Sequence, residues 1–476
     1  MNSDITVDTW KALEKKLELD GAHQTLIRSF RRHYDFLTKG HTGLIPQSTI
    51  SPVGWLPTLD EAGATEGSGV DALQHAVVIK LNGGLGTGMG LNQAKSLLPV
   101  KNGLTFLDII AGQILCMRQI HECRLPLIFM NSFSTHADTL AALNKHPDLV
   151  GGQDDIPISF VQNRVPKISC ENFQPVEWKR NPDMEWCPPG HGDLYVSLVT
   201  TGILDKLLEQ GMKYAFVSNA DNLGATIDLE ILGYFASKQY PFMMEATART
   251  EADRKGGHLS RTNDGRLILR ESAQCPDNER EDFQDITKYS YFNTNNLWIN
   301  LESLKDKLLK EGYVLPLPPI INRKTVDPRD DSSPHVYQLE SAMGAAISIF
   351  ENAQALDIPR TRFAPVKTTD DLLALRSDMY ELTEDYHIKP NPERGSDEIL
   401  IRLDPVCYKM IDDFDSRFPS GPPSLLHCES LIVDGDILFG KGISINGPVR
   451  LANSSKQQIK LSNGLAISGN RKNTCV

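Results

Sequence analysis

The sequence predicts an α/β fold in which a mixed, mostly parallel, Rossmann-like sheet carries helices on both faces. Short apolar segments alternate with helical stretches between residues 76 and 220. Strands are expected at AVVIKL (76–81), LPLIFM (125–130), PISFV (157–161) and KYAFVSNA (213–220), and helices near 105–119, 135–145 and 196–210. Such alternation is typical of βαβ units. Because ligands of these sheets bind beyond the carboxyl ends of the strands, the chemistry is expected in the loops that follow them.

Two other regions flank this core. Residues 1–74 form an N-terminal segment, with helical periodicity over 7–39, a break at Asp20-Gly21, and a linker rich in Pro, Gly and Ser over 41–73. The core is expected to span 75–385. In 386–476, short runs rich in Ile, Leu and Val are separated by Asp-Gly and Asn-Gly turns. These runs predict a β-rich domain with a few coils of a β-helix, expected to be left-handed.

Composition excludes several classes of function. The chain has 476 residues and a net charge of −12, which disfavours non-specific binding to nucleic acid or anionic membranes. The N-terminus is polar and no apolar run approaches the roughly 20 residues of a membrane span. The eight cysteines lack CxxC or metal-like spacing and are expected to be reduced thiols, with Cys475 exposed in the tail. A cytoplasmic protein without nucleic-acid or membrane partners is predicted.

The glycine-rich stretch KLNGGLGTGMGLNQAKSLLPV (80–100) is the strongest single signal. It follows a predicted strand and precedes a predicted helix, so its bare backbone N–H groups can point at an anion. A Walker A loop would need glycines where the chain has Met89 and Ala94. A dinucleotide GxGxxG also fails, because its third glycine would fall on Met89 or Leu91. The loop therefore predicts a phosphate cradle that is neither a P-loop nor a dinucleotide fingerprint.

This stretch resembles the signature of nucleotidyltransferases that join a nucleoside triphosphate to a sugar 1-phosphate, and in particular the UDP-glucose pyrophosphorylases. Gly88 stands where the wider group has Arg, which fits the UDP-glucose branch, and Ala94 stands where that group has Pro. The resemblance continues in family order across residues 75–385. It is carried by FMNSFSTHADT (129–139), CPPGHGDLY (187–195), VSNADNLGA (217–225), RKGGHL (254–259), YFNTNNLWINL (291–301), VYQLESAMGAAISIF (336–350) and RTRFAPVKTTDDLL (360–373).

The resemblance implies a Mg²⁺-dependent uridylyltransferase. Its substrates would be UTP and glucose 1-phosphate, and its products UDP-glucose and pyrophosphate. A sugar-phosphate oxygen would attack the α-phosphorus of UTP directly, so catalysis would consist of positioning and charge neutralisation. Two alternatives stay open: a UDP-sugar or UDP-N-acetylhexosamine pyrophosphorylase of broader specificity, and a catalytically silent paralogue that binds nucleotide sugars. The presence of Lys95, Lys367 and Asp221 argues against the silent paralogue.

Three residues are predicted to handle the phosphates. Lys95 follows the glycine loop and would neutralise the triphosphate, and the resemblance implies that Lys367 in FAPVKTT contacts the reacting phosphates. Asp221 ends the strand YAFVSN, where its carboxylate could hold Mg²⁺ or cap a turn.

The remaining predicted site residues are assigned to nucleotide and sugar. A Gln amide suits the uracil edge because it both donates and accepts hydrogen bonds. The resemblance implies that the nucleotide site includes Gln162, Asp221 and Gly190. It also includes five residues of the glycine-rich stretch: Leu81, Gly83, Gly84, Leu85 and Gly86. The sugar phosphate would be held by His191, Gly192, Asn219, Asn222, Gly256, Gly257, Glu271, Asn295 and Asn296. Three asparagines in FNTNNLW could instead cap a turn.

Self-association stays open, because a β-rich tail can pair its edge strands with a second copy or have them covered.

Overall fold

A ten-stranded mixed sheet forms the centre of the molecule. The structure, a computed structural model, describes residues 3–63, 66–151, 153, 155–394, 399–469 and 471–472. The strands of this sheet are β1 (Ile50–Pro52), β2 (Ala76–Asn82), β3 (Leu127–Asn131), β4 (Ser159–Val161), β5 (Tyr214–Asn219), β6 (Phe242–Ala248), β7 (His258–Thr262), β8 (Leu267–Arg270), β9 (Tyr291–Asn300) and β10 (Gln354–Asp357). Their order is β1-β7-β9-β5-β2-β3-β4, with β8 on β7, β6 on β9, and β10 on β6.

The half of the sheet built from β5, β2, β3 and β4 is parallel, as the alternating pattern predicts. These strands are continuous apolar runs, and β2 and β3 are almost entirely buried because helices cover both faces. Asn219 pairs with Leu81, and Asn82 pairs with Asn131. The carboxyl ends of β5, β2 and β3 therefore meet at one edge.

The other half of the sheet is antiparallel. Strands β1, β7, β8 and β9 pair in antiparallel register, and β9 also runs antiparallel to β5 and β6. The short turn from Thr262 to Arg266 joins β7 and β8, which leaves no room for a crossover helix. The sheet is thus mixed, with its parallel part confined to residues 76–219 plus the β6–β10 pair.

The helices begin and end at defined signals. The predicted helix near 105–119 spans Phe106–His121 and starts with a capping box between Thr105 and Asp108. The predicted helix near 196–210 is two helices, because Gly202 adopts φ +72° between them. The α-helices are Ser3–Leu19, Gln24–Thr38, Leu59–Ala62, Glu66–Leu73, Phe106–His121, His136–Leu143, Pro147–Gly151, Asp193–Thr200, Ile203–Glu209, Leu229–Ser237, Arg280–Gln284, Leu301–Lys310, Thr369–Arg376, Pro405–Tyr408 and Ile411–Arg417.

The N-terminal segment is a helical hairpin followed by more structure than a linker. Helices Ser3–Leu19 and Gln24–Thr38 confirm the predicted pair and its break. Within 41–73, however, β1 joins the central sheet and helix Glu66–Leu73 packs on helix Leu229–Ser237. At Gly69 an added Cβ would lie 1.9 Å from the Leu229 carbonyl oxygen, so glycine permits this close contact. The prediction of a linker over the whole of 41–73 is therefore wrong, because local composition does not reveal tertiary packing.

The C-terminal region is rich in parallel strand pairs. Leu400–Leu403, Ser424–Asp434, Ser444–Ala452 and Ala466–Ser468 lie side by side in parallel, and Arg471–Lys472 also pairs with Ser444–Ala452. Ile437–Leu438 pairs in parallel with Ile459–Lys460. Parallel neighbours joined by short connections are what successive coils require. The left-handed β-helix and the domain boundaries stay predictions.

The remaining short strands form small sheets: Pro99–Lys101 with Leu104–Thr105, Val165–Pro166 with Trp186–Cys187, Pro319–Thr325 with His335–Ser341 and Ile168–Ser169, and Tyr380–Leu382 with Ile388–Pro390.

Seven cysteines lie in the described residues and all are free thiols, four of them buried. Cys475, predicted to be exposed, lies outside the described residues. Within the described part of the chain, no helix is both long and apolar enough to cross a membrane.

Candidate active site

A cavity of about 350 Å³ opens at the edge where the carboxyl ends of β2, β3 and β5 meet. This is the position predicted from the parallel strands. Nine of the predicted site residues line the cavity: Leu81, Gly83, Gly84, Lys95, Gln162, Gly190, His191, Asn219 and Asp221. Asn82, Ser96, Met130, Pro188 and Ala220 complete the lining.

The glycine loop wraps one side of this cavity. It contains two short 3₁₀ turns, Thr87–Met89 and Lys95–Leu97, and the long helix begins only at Phe106. The helix predicted after the loop is present, but the hairpin Pro99–Lys101/Leu104–Thr105 separates it from the loop. Gly86 has φ +65°, and an added Cβ there would lie 2.7 Å from Leu91 Cδ1. The predicted contacts of Leu85 and Gly86 with the nucleotide stay predictions, since neither lines the cavity.

Lys95 and Asp221 meet across the cavity from opposite loops. The Lys95 Nζ–Asp221 Oδ2 distance is 2.6 Å. Lys95 is placed by a hydrogen bond from its backbone N–H to the Gly84 carbonyl, 3.1 Å. Asp221 follows the end of β5, and its carbonyl accepts a hydrogen bond from Val366 N–H, 3.2 Å. The predicted cation and the predicted metal ligand thus form one partly exposed ion pair.

Gln162 lies against the glycine loop. An added Cβ at Gly83 would come within 3.0 Å of Gln162 Nε2, so the missing side chain makes room for the amide. The backbone N–H of Gln162 donates to the Asn131 carbonyl at the end of β3, 2.7 Å. A planar ligand beside Gly83 would meet both a bare backbone edge and an amide.

The buried Asp193, which was not predicted as a site residue, holds the backbone and side chain of Asn163, the residue after Gln162. The buried Asp193 carboxylate accepts hydrogen bonds from Asn163 N at 2.7 Å, Asn163 Nδ2 at 3.0 Å and Ser197 Oγ at 2.6 Å. Burial raises the pKa of Asp193 to about 6, although these hydrogen bonds oppose that shift. Asp193 is the last residue of the sequence motif GHGD, which could have pointed to it. Its carboxylate fixes the chain next to Gln162.

His191 is held as a neutral imidazole. Its Nδ1 accepts a hydrogen bond from Met343 N–H, 3.1 Å, which leaves the proton on Nε2. Burial lowers the pKa of His191 to about 4. The flanking glycines pack directly on Ser341: an added Cβ would lie 2.4 Å from the Ser341 carbonyl at Gly190 and 2.4 Å from its Oγ at Gly192. His191 can therefore donate a hydrogen bond to a ligand in the cavity, and Gly192 lies behind the cavity wall.

Ser96 is a lining residue that the sequence did not single out. It is 1% exposed, and its hydroxyl has no hydrogen-bond partner among the described residues. A buried hydroxyl without a partner is costly unless a ligand or water satisfies it. Its position next to Lys95 on the cavity wall makes it a candidate for a phosphate oxygen.

A second group of predicted residues lies beside the cavity. An added Cβ at Gly257 would lie 2.6 Å from Glu271 Oε2, and one at Gly256 would overlap the Phe292 ring. Lys367 Nζ lies 5.9 Å from the ring centroids of Phe292 and Phe363. Burial raises the pKa of Glu271, and the nearby Lys367 charge opposes that shift. Glu271, Lys367 and the glycine pair therefore form one neighbourhood, outside the cavity lined by Lys95.

The asparagine cluster divides into two roles. A β-bulge in β9 lies opposite Glu245 and Ala246. In this bulge Asn295 has φ +60°, and Asn293 and Asn295 exchange hydrogen bonds of 2.9 Å. Asn295 is half-buried, and its predicted contact with the sugar stays a prediction.

Asn222 and Asn296 are instead almost fully buried. Asn222 donates to the Arg362 carbonyl at 3.1 Å and accepts from Ala364 N–H at 3.0 Å. Asn296 donates to Glu245 Oε2 at 2.9 Å. Their predicted contact with the sugar stays a prediction, while the structure commits both amides to protein partners.

The donor set suits a magnesium ion shared with a ligand. Asp221 is the one carboxylate among the described lining residues, and the described part of the chain contains no cluster of three potential metal-binding side chains. Mg²⁺ commonly binds one or two carboxylates together with substrate phosphates and water. Asp221 therefore fits a nucleotide-bound Mg²⁺ and does not by itself make a protein cage.

Comparison with known proteins decides the family. The family model described as UTP–glucose-1-phosphate uridylyltransferase matches residues 28–446. The chain belongs to this family. The UTP–glucose-1-phosphate uridylyltransferase of Musa acuminata is 40% identical over 426 residues, covering 89% of this chain and 86% of that protein. That of Solanum tuberosum is 42% identical over 399 residues, covering 83% and 80%.

Solved structures of the family share the fold. A point mutant of UDP-glucose pyrophosphorylase from Leishmania major in complex with UDP-glucose superposes with a TM-score of 0.91 at 44% identity, covering 98% of this chain and 99% of that one. A structure from Trypanosoma brucei described as UDP-glucose phosphorylase gives a TM-score of 0.89 at 47% identity, covering 98% and 100%. The resemblance stated from the motifs is thus confirmed at the level of family and fold.

Proposed function

We propose that the chain makes UDP-glucose and pyrophosphate from UTP and glucose 1-phosphate. The observation that carries this proposal is the Lys95–Asp221 pair, 2.6 Å apart, in a cavity that also holds Gln162 against the bare Gly83 backbone. A cation and a carboxylate beside a base-sized slot suit a magnesium-bound nucleoside triphosphate.

The reaction is a direct displacement. An oxygen of the sugar 1-phosphate forms a bond to the α-phosphorus of UTP, and the bond to the β-phosphate oxygen breaks. The electron pair leaves with pyrophosphate, which is displaced in line. The attacking oxygen is already ionised, so no general base is needed and His191 donates a hydrogen bond instead.

Each residue has a role in this scheme. Lys95 leaves Asp221 and neutralises the triphosphate, and Ser96 donates its hydroxyl to a phosphate oxygen. Gln162 and the Gly83–Gly84 backbone hold uracil, supported by Asp193 through Asn163. Asn295, Glu271 and the Gly256–Gly257 backbone face the sugar, and Lys367 approaches the sugar phosphate from the neighbouring loop.

Mg²⁺ is part of the proposal. The Asp221 carboxylate would hold the ion, which would supply further neutralisation of the phosphate charge. Asp221 is freed for this role when Lys95 turns to the phosphates.

The substrate assignment is tested by pyrophosphate release with Mg²⁺. UTP, dTTP, ATP and GTP are crossed with glucose 1-phosphate, galactose 1-phosphate and N-acetylglucosamine 1-phosphate. Activity confined to UTP plus glucose 1-phosphate is expected. Equal activity with several sugars would replace the proposed specificity with a broader one, and activity with ATP in preference to UTP would overturn the role of Gln162.

We also propose a cytoplasmic location, supported by the free thiols, and self-association with a second copy through the C-terminal domain. Strand Leu400–Leu403 lies at the edge of its sheet, Leu400 is half exposed, and the Val406 side chain is 86% exposed. Analytical ultracentrifugation of the wild type and Val406→Asp tests this. The charge should shift the equilibrium toward monomer, and a wild type that is monomeric at micromolar concentration would refute it.

A further inference from the structure

Glu245 is a fully buried carboxylate on β6 whose two oxygens are both saturated by hydrogen bonds. Arg362 forks onto it, with Nε 2.9 Å from Oε2 and Nη2 2.7 Å from Oε1. Trp298 Nε1 donates to Oε1 and Asn296 Nδ2 donates to Oε2, each at 2.9 Å. A buried charge pair is tolerated only with such complete pairing, and it does not by itself imply high stability.

Arg362 extends from this pair into the loop that carries Asp221. Its Nη2 also donates to the Thr226 carbonyl at 2.9 Å, and its Nη1 lies 3.5 Å from Asp228 Oδ2. The carbonyl of Arg362 itself accepts the Asn222 amide at 3.1 Å. Arg362 therefore joins β6, the loop after β5 and its own loop.

Further hydrogen bonds hold these two loops side by side. Ala364 N–H donates to Asn222 Oδ1 at 3.0 Å, and Val366 N–H donates to the Asp221 carbonyl at 3.2 Å. Lys367 is the next residue. This series of hydrogen bonds, which begins at Arg362, therefore holds Asp221 and Lys367 in neighbouring positions.

A second buried basic side chain supports the same loop from β2. Lys80 Nζ donates to Ser218 Oγ at 2.7 Å and to the Ala225 carbonyl at 2.6 Å. Two consecutive carbonyls are therefore held by buried basic side chains: Lys80 donates to that of Ala225, and Arg362 donates to that of Thr226. This anchors the end of the loop, while Asn219 and Asp221 face the cavity.

We propose that Glu245 and Arg362 are positioning residues for the uridylyl transfer. Neither lines the cavity, and neither needs to touch substrate. The fork fixes the loop of Asp221 relative to the loop of Lys367, so that the residue proposed to hold Mg²⁺ and the residue proposed to contact the sugar phosphate keep the spacing that the displacement requires. This inference rests on the proposed function.

The test uses Arg362→Lys, which keeps the positive charge but loses the two-pronged contact and the bond to Thr226. The kcat is expected to fall at least about tenfold with a smaller change in the KM for UTP. Gln162 and the glycine loop do not contact Arg362 and keep their places in the cavity, while the spacing of Asp221 and Lys367 is lost. In the Lys367→Ala background, Arg362→Lys is expected to lower kcat by less than about threefold further. Because Arg362 is proposed to act by positioning Lys367, the effects of the two substitutions on kcat should not be additive.

Arg417→Lys is the matched control. Arg417 Nε lies 2.8 Å from Asp436 Oδ1 in the C-terminal region, so the change disrupts an arginine–carboxylate pair away from the cavity. It should leave kcat unchanged. If Arg362→Lys does not fold, Trp298→Phe removes one hydrogen bond to Glu245 while keeping an aromatic ring, and a several-fold loss of kcat is expected.

Hydrogen exchange separates this inference from the proposed function. In Arg362→Lys the amides of Ala364 and Val366 should exchange faster, without a matching change in distant strands and irrespective of which reaction the protein catalyses. The positioning role would be overturned if folded Arg362→Lys kept the wild-type kcat. It would also be overturned if the kcat of the double variant fell by the product of the two single-variant losses. An inactive wild type in which these two amides still respond would refute the proposed function instead.

Discussion

Lys95 Nζ lies 2.6 Å from Asp221 Oδ2, so the two charges proposed to act on UTP form an ion pair with each other. The pair is partly exposed and contributes on the order of 1 kcal/mol or less to stability. Nucleotide binding can therefore replace it at little cost. Lys95 would then contact phosphate oxygens, and the Asp221 carboxylate would be free to hold the proposed Mg²⁺.

Lys95→Ala should lower turnover at least about 100-fold, a loss typical of removing one group that stabilises charge in the transition state. The fold should be retained, because only a weak ion pair is lost. Steady-state kinetics and thermal melting check both points. Lys305→Ala is the matched control, since Lys305 Nζ is 2.6 Å from Asp205 Oδ1 on a surface away from the cavity. A fully active Lys95→Ala enzyme would remove Lys95 from the site.

Asp221→Asn should weaken the binding of Mg²⁺, because an amide binds a hard cation less well than a carboxylate. A Mg²⁺ titration of initial rate is expected to require a higher metal concentration for half-maximal activity. Asp205→Asn provides the matched control for charge. A superimposable titration curve for Asp221→Asn would show that the carboxylate only orders its loop.

Ser96→Ala should reduce kcat/KM for UTP by about three- to tenfold, since one hydrogen bond contributes about 1 kcal/mol. The free protein should be no less stable, because the hydroxyl has no partner in the described structure. Ser348→Ala, which removes a hydroxyl bonded to the Ala345 carbonyl, is the comparison. Loss of stability without loss of activity would contradict the phosphate role.

Gln162→Ala should lower the preference for UTP over ATP and GTP, since the amide beside Gly83 is expected to read the base. Competition assays with two nucleotides in one vessel give the ratio of kcat/KM values directly. An unchanged ratio, with equal loss for all nucleotides, would assign Gln162 to packing.

His191 should remain neutral throughout the physiological pH range, because burial lowers its pKa to about 4. The unfolded chain protonates a histidine near pH 6.5, so the unfolded state binds more protons between pH 6.5 and 4. The contribution of His191 to stability is therefore present above about pH 6.5 and declines as the pH falls toward 4. NMR titration of the His191 ring checks this, and a midpoint near 6.5 would contradict it.

The parallel part of the sheet and the location of the cavity could be predicted from sequence because the signals are local. Apolar runs such as AVVIKL cannot be solvent-exposed, and a glycine loop after such a strand has few other uses. Lys95, Gln162 and Asp221 each follow a strand of the parallel half, so the topology brings them together.

The rest depended on contacts that sequence spacing does not encode. Asn222 and Asn296 look like ligand-binding amides, but the fold buries them against Arg362 and Glu245. Glu245 itself is a single carboxylate in the apolar strand FMMEATA, and only the fold shows that Arg362 reaches it from over a hundred residues away. Ser96 could not be predicted because a serine beside a lysine is uninformative in sequence. Only the structure shows that its hydroxyl is buried and has no hydrogen-bond partner among the described residues.

The most direct test of the central claim is product formation by the purified protein. UTP and glucose 1-phosphate are incubated with Mg²⁺, and UDP-glucose and pyrophosphate are both quantified, with Lys95→Ala measured in parallel. The account predicts one UDP-glucose per pyrophosphate from the wild type and at least about 100-fold less from the variant. A folded wild type that binds UTP but forms no UDP-glucose would contradict it.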